Sequence, residues 1–273
     1  VDYVHYDLVF PTSDMMPKIS GNYLLVVTGE DPNDIYFTRR FYVVEDIARI
    51  SASVPRYPFD LNLGTNKQEI DLEITYPDLF NSRADQYSNV TIQQNGRWDN
   101  AVFGLKPTYV YPEKISYMNN AKTVFESGNQ FLRINTSNFE NRPEKTRSVN
   151  REEDYYVIRL HEDTKRSTHN YATDEDIYGE KFIYLEREGM DATNEADYAM
   201  VDFFLQWPQY MFGKDVYIIG AITDWRLDEN SKMEYDPERR GYKKGLFLKQ
   251  GYYDYMYLVK DNASGMTSVA PVN

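Results

Sequence analysis

HEDTK, His161 to Lys165, comes nearest in this chain to a metal-binding motif. It shares the first two residues of H-E-x-x-H, in which two imidazoles one helical turn apart hold zinc. Lys165 stands where the second histidine is needed, and the segment reads as a strand leaving a turn. DEDIYG, Asp174 to Gly179, starts like a calcium loop, but Tyr178 takes the fifth position and Leu185 the twelfth, so two ligand oxygens are missing. It reads as an acidic turn before a strand, with a calcium site of another geometry left open. His5, His161 and His169 have no serine or cysteine nucleophile motif around them, and the chain has no G-x-S-x-G, P-loop or dinucleotide fingerprint. Among 43 acids, neighbours such as Glu152 and Glu153 are common, so spacing singles out no glycosidase pair. These residues imply a non-enzymatic protein with no catalytic residues, no metal and no cofactor.

Two aromatic groups are placed to bind instead of react. VYIIGAITDW (Val216–Trp225) ends on a tryptophan, and GYYDYMYLVKD (Gly251–Asp261) carries a row of tyrosines. Trp225 and Tyr255 are the candidate carbohydrate face, since sugars stack on aromatic rings while their hydroxyls need placed polar partners. QNGRWDNA (Gln94–Ala101) is the candidate protein interface, through Arg97, Trp98 and Asp99, because Arg and Trp are enriched at interface hot spots. The alternative there is that Asn95–Gly96 makes a turn and Trp98 packs internally.

The elements that must position these residues are strands. Aromatics make up 15% of 273 residues, with 25 Tyr and 14 Phe, which suits half-buried pleated surfaces. SGNYLLVVTGE (Ser20–Glu30) and IYFTRRFYVVE (Ile35–Glu45) are strands joined by the DPND turn. A strand mixed with a proline- and asparagine-rich connector is expected within 47–68, and further strands within 69–77, 89–96, 108–118, 123–134, 155–163 and 180–188. A second set follows within 198–207, 216–225, 245–251 and 252–261. The expectation is an all-β fold of tandem immunoglobulin-like or early-set β-sandwiches. Its parts are closing strands in 1–47, a central sandwich in 48–195 and a C-terminal sandwich in 196–273, with EREGMDATNEAD (Glu186–Asp197) as linker. The opening VDYVHYDLVF is already strand-like, so the first domain is expected to begin before Val1.

Composition narrows the partners. A net charge of −13 without a dense basic cluster in sequence argues against nucleic acid. The absence of cysteine removes disulfides and thiolate chemistry but does not assign a compartment. No apolar run approaches the ~20 residues of a membrane helix.

Residues Val216, Gly220, Asp224 and Trp225, then Leu248, Gly251, Tyr253 and Tyr255, resemble the frame of glycogen-binding and other early-set sandwiches. The sugar site of those modules uses two tryptophans and a lysine beside the final tyrosine. Here Met256 stands at the lysine position, and DNASGM (Asp261–Met266) has no tryptophan. A wider resemblance runs through SGNYLLVV (Ser20–Val27), RRFYVVE (Arg39–Glu45), QQNGRWDNAVFGLKP (Gln93–Pro107), FESGNQFLR (Phe125–Arg133), ADYAMVDFFL (Ala196–Leu205) and LKQGYYDYMY (Leu248–Tyr257). In this order they resemble the type 9 secretion system plug proteins of the Bacteroidota. That family's D-x-N-G turn appears here as DIYG (Asp176–Gly179), with Tyr178 in place of the asparagine. The resemblance implies a periplasmic plug, associated with the outer membrane. Its partner would be a large outer-membrane β-barrel translocon whose inner mouth it closes when idle.

Overall fold

The computed structural model describes residues 2–60, 62, 67–76, 86, 88–126, 131–140, 143–165, 176–187, 189 and 191–271. The fold is all-β, as expected, and its sheets build tandem β-sandwich domains. Among the described residues no helix is long and apolar enough to cross a membrane. The chain divides into two compact units that are not continuous in sequence.

One unit holds residues 4–90 and 104–124. β1 (Gly21–Thr28) and β2 (Ile35–Val43) pair antiparallel. The DPND turn joins them as the sequence suggests: Asp31 accepts from the Asn33 backbone at 2.9 Å through its side chain and from Asp34 at 2.9 Å through its carbonyl. β3 (Arg49–Ser53), β5 (Asp71–Thr75), β7 (Lys114–Ser116) and β6 (Tyr109–Val110) form a four-stranded antiparallel sheet in that order. β4 (Lys67–Glu69) precedes β5. Leu72, Tyr76, Val90, Leu105, Ile115 and Tyr117 are among the buried apolar residues of this unit.

The other unit holds residues 1–3, 91–103 and 125–273, and is a sandwich of two five-stranded sheets. β8 (Val124–Glu126) lies at the boundary. The first sheet runs in the order β10 (Thr146–Arg151), β11 (Tyr156–Leu160), β13 (Tyr198–Gln206), β16 (Gly241–Lys249) and β15 (Glu234–Asp236). Its β11–β13 ladder is parallel and the others are antiparallel.

The second sheet is built on β17 (Gly251–Asp261), an eleven-residue spine. β9 (Leu132–Asn135) and β12 (Lys181–Ile183) pair with the first half of β17. β14 (Lys214–Ile219) and β18 (Thr267–Val269) pair with the second half. Tyr253, Tyr255, Tyr257 and Val259 face the main core with Val201, Phe203, Leu205 and Ile218. Met256 and Leu258 point to the opposite side, into a smaller core with Phe131, Tyr217 and Ile219. β17 is thus buried on both faces, which is why its sequence is nearly continuous in large apolar and aromatic residues.

This pairing differs from the expected boundary at residue 195. β9 to β12 lie in sheets shared with β13 to β18, so 48–195 is not a self-contained sandwich. A long spine covered on both edges needs several short partners, and the chain supplies them from segments before and after residue 195. The expected linker contains the helical turn α1 (Ala192–Glu195), capped by Asp191, which accepts from the Thr193 backbone at 2.9 Å.

The core carries hydroxyls that need partners. Tyr255 and Tyr257 both donate to Asp163 at 2.7 Å, and the tyrosine rings meet edge to face at 5.6 Å. Burial pushes the Tyr257 hydroxyl well above its ordinary pKa, and the Asp163 carboxylate adds to the rise. Burial does the same at Tyr253. A raised tyrosine stabilises the fold fully below the unfolded value of about 10 and loses that contribution as pH climbs toward the folded value. Unfolding free energy should therefore fall by about 1.4 kcal/mol per pH unit for each of these two tyrosines above about pH 10. Urea unfolding across that range, with tyrosinate absorbance as a second probe, checks it. An unchanged midpoint would contradict it.

Candidate docking surface

The RWD segment is positioned by a tight turn. Asn95 (φ 52°) and Gly96 (φ 72°) are both left-handed, as a hairpin turn between right-twisted strands requires. Arg97 donates its backbone N–H to the Gln94 carbonyl at 3.0 Å, and Ile92 pairs with Val102 as an isolated antiparallel bridge. Asn100 donates to the Gln94 side chain at 3.0 Å, and Gln94 donates to the Glu126 carbonyl at 2.8 Å.

The three residues expected as a contact separate into two roles. Arg97 is buried, 4% exposed, and grips Asp99 with two hydrogen bonds, Nε–Oδ1 at 3.0 Å and Nη2–Oδ2 at 2.6 Å. Thr267 donates to the same Asp99 oxygen at 2.6 Å. Burial alone would raise the Asp99 carboxyl, but the bonds and charge of Arg97, with Thr267, outweigh it and hold the group below the ordinary carboxylate range. Arg97 and Asp99 latch onto each other and onto Thr267 within the unit. Trp98 between them is 40% exposed and stacks on Phe103, itself 59% exposed, with centroids 6.0 Å apart and planes 20° apart. Phe103 belongs to the surface and was missed by the sequence reading. Its signal was the small hairpin, which returns the chain to Trp98 five residues later.

Trp225 and Tyr255 do not share a face. Tyr255 is 1% exposed, in the main core against Phe203 at 5.1 Å, and so is closed to a sugar. Trp225 is half-buried and packs with the smaller core on the other side of β17, its ring edge to face with Phe131 at 5.9 Å. The physical reason is strand parity: position 255 points inward, whereas Met256, its neighbour, points toward the Trp225 side.

The DIYG turn seals that side. Asp254, with no exposed surface, accepts from the backbone N–H groups of Ile177 and Gly179, the second at 3.4 Å, and from Arg133 Nε at 3.0 Å. Its own backbone donates to the Glu180 carbonyl at 3.1 Å. Gly179 has φ +80°, and a Cβ there would stand 2.4 Å from the Trp225 ring. Tyr178 is left-handed at φ 57° and 76% exposed, an uncommon backbone for a bulky side chain. The turn thus has a structural role. Asp174 and Glu175, its first two acids, lie outside the described residues, as does His169. His161 is exposed and Lys165 follows no helix: residues 161–165 carry one bridge, Asp163 to Leu205. Among the described residues no three His, Cys, Asp or Glu side chains gather as a metal site.

Residues 1–45 match the family model described as "Type 9 secretion system plug protein 1st domain". This segment of the chain therefore resembles the first domain of the type 9 secretion system plug proteins. The chain is also similar to a solved crystal structure, a hypothetical protein from Parabacteroides merdae ATCC 43184. The two are 32% identical with a TM-score of 0.91, over 97% of this chain and 66% of that one. The chain therefore spans 66% of that relative's length. No curated protein matches it.

Arg97→Ala takes the guanidinium from the Asp99 carboxylate, leaving the Thr267 hydroxyl, and should cost about 2 kcal/mol in urea unfolding, whereas Trp98→Ala should cost less than about 1 kcal/mol. Equal costs would show that Trp98 is part of the packing. Tyr178→Asn relieves the left-handed strain and should stabilise by about 0.5 to 1 kcal/mol, and Gly179→Ala should destabilise, both read from thermal unfolding.

Proposed function

We propose that this chain is the body of a non-enzymatic periplasmic plug. It binds the inner mouth of the large outer-membrane β-barrel translocon of the type 9 secretion system and closes it when no substrate is engaged. The observation that carries this reading is the match of residues 1–45 to the plug protein's first domain. A plug needs a stiff body and a docking surface, and no catalytic constellation. The doubly covered β17 spine supplies stiffness. The Trp98–Phe103 pair supplies a contact of the kind that anchors interfaces: two stacked aromatics raised on a turn whose base is fixed by the Arg97–Asp99 latch. The relative's organism, a Parabacteroides, agrees with a role in the Bacteroidota.

The carbohydrate reading finds no support in the placement of its residues, since Tyr255 is in the core and the Trp225 ring is packed against Phe131 and Gly179.

The test is recovery of the tagged protein from detergent-solubilised outer membranes. A very large barrel should come with it in near-stoichiometric amount, and Trp98→Ala should reduce recovery by about tenfold while thermal unfolding stays close to wild type. Recovery of no barrel, under conditions that preserve other outer-membrane complexes, removes the plug reading. Recovery unchanged by Trp98→Ala keeps the plug reading and removes this contact.

A further inference from the structure

The outer face of the five-stranded sheet carries a cavity of about 390 Å³ whose charge opposes that of the chain. Five cations line it, Arg147, Arg159, Arg239, Lys243 and Lys244, against two carboxylates, Asp202 and Glu234. Among the lining side chains that is an excess of +3 (five minus two) on a chain of net charge −13, although Glu162 and Asp236 just outside the lining stand against Arg239 and Lys243. Three of the five, Arg239, Lys243 and Lys244, fall within six residues of sequence, and Arg147 and Arg159 join them from β10 and β11.

Strand register sets the layout. Ser148, Arg159, Asp202 and Gly245 lie in one row across four strands, and Phe204, Lys243 and Glu234 lie in the next. Arg147 stands on β10 at one edge of the sheet and Glu234 on β15 at the other, so the lining reaches across all five strands. At about 4.8 Å per strand spacing this is a path of about 19 Å, the length of five or six extended residues. Gly245 keeps the middle low: a Cβ there would come within 3.1 Å of Met200.

The guanidinium groups are held in different ways. Arg239 lies over the Phe204 ring at 3.7 Å and donates to Glu162 at 3.1 Å, which fixes the plane of its fork. Arg159 stands 3.7 Å from Asp202, beyond hydrogen-bond distance. Arg147 is exposed and makes no ion pair among the described residues. Lys243 stands 3.5 Å from Asp236, and Lys244 donates to the Glu229 carbonyl at 2.8 Å. Burial raises the Asp202 carboxyl above its ordinary range, with the charges of Arg159 and Arg239 opposing.

We propose that this groove binds an extended acidic segment of a protein partner, its carboxylates taken by Arg147, Arg159 and Arg239. Planar guanidinium forks match carboxylates two bonds at a time. A single phosphate would leave most of the groove unfilled. The two pocket carboxylates suit a chain that also brings backbone N–H donors. The proposal stands on the groove and not on the plug reading, so either can fail alone.

The experiment titrates the whole 273-residue chain into a fluorescein-labelled hexaglutamate peptide at low salt, read by anisotropy. Inorganic phosphate and phosphatidylglycerol vesicles serve as rival probes. The peptide should bind, and Arg147→Gln and Arg159→Gln should each weaken it by about tenfold. Lys122→Gln, an equal charge change at an exposed site in the other unit, should alter it by less than about twofold. Among the described residues Arg147 has no ion pair to lose, and thermal unfolding of its variant separates loss of binding from loss of stability. Three results overturn the proposal: no peptide binding, peptide binding indifferent to the arginine variants, or phosphate or vesicles engaging the same arginines more tightly than the peptide.

Discussion

Asp254 is a carboxylate without exposed surface in the strand on which four others depend. A charge in such a place is tolerated only if its oxygens are filled, and here a guanidinium and two backbone N–H groups fill them. The donors come from far apart in the chain. Arg133 sits on β9, Ile177 and Gly179 on the turn before β12, and both strands pair with the first half of β17. One side chain therefore fixes the register of three strands and lays the turn over the smaller core. Gly220 completes the fit, because a Cβ at its φ of +147° would meet the Asp254 carbonyl at 2.6 Å. The Trp225 ring, pressed on Gly179 and Phe131, closes the same corner from outside.

The docking hairpin follows the same logic at smaller scale. The buried Arg97 holds the Asp99 side chain, and the residue between them points out. The exposed aromatics are thus held by the buried ions, with Thr267, far along the chain, as third member.

Much of this was legible in the sequence. The DPND turn, β1, β2, β13, β14 and β17 followed from turn residues and apolar runs, and the blocks shared with plug proteins pointed to the family that residues 1–45 match. What escaped were properties of pairing. β10 lies in a stretch that reads as a charged gap, because an edge strand with one solvated face has no apolar pattern to show. β15 is three residues long and equally polar. The parallel β11–β13 ladder leaves no local trace, since direction is decided by the path between strands. The separate fates of Tyr255 and Trp225 depended on knowing that β17 is covered on both faces, which makes every one of its positions read as core. Asp254 could have been suspected from its place alone: one acid in the middle of five large residues asks for a buried partner.

The arrangement of β17 also has a mechanical side. Ladder hydrogen bonds lie perpendicular to the strands, so a pull along the strand axis loads the whole set of rungs together in shear and does not peel them one by one. β14 and β9 run antiparallel to β17 through six and four register positions, and β12 and β18 add three each. Tension transmitted through the end of β17 is therefore shared among strands from four separate parts of the chain. A body made this way resists traction along that axis far better than traction across it.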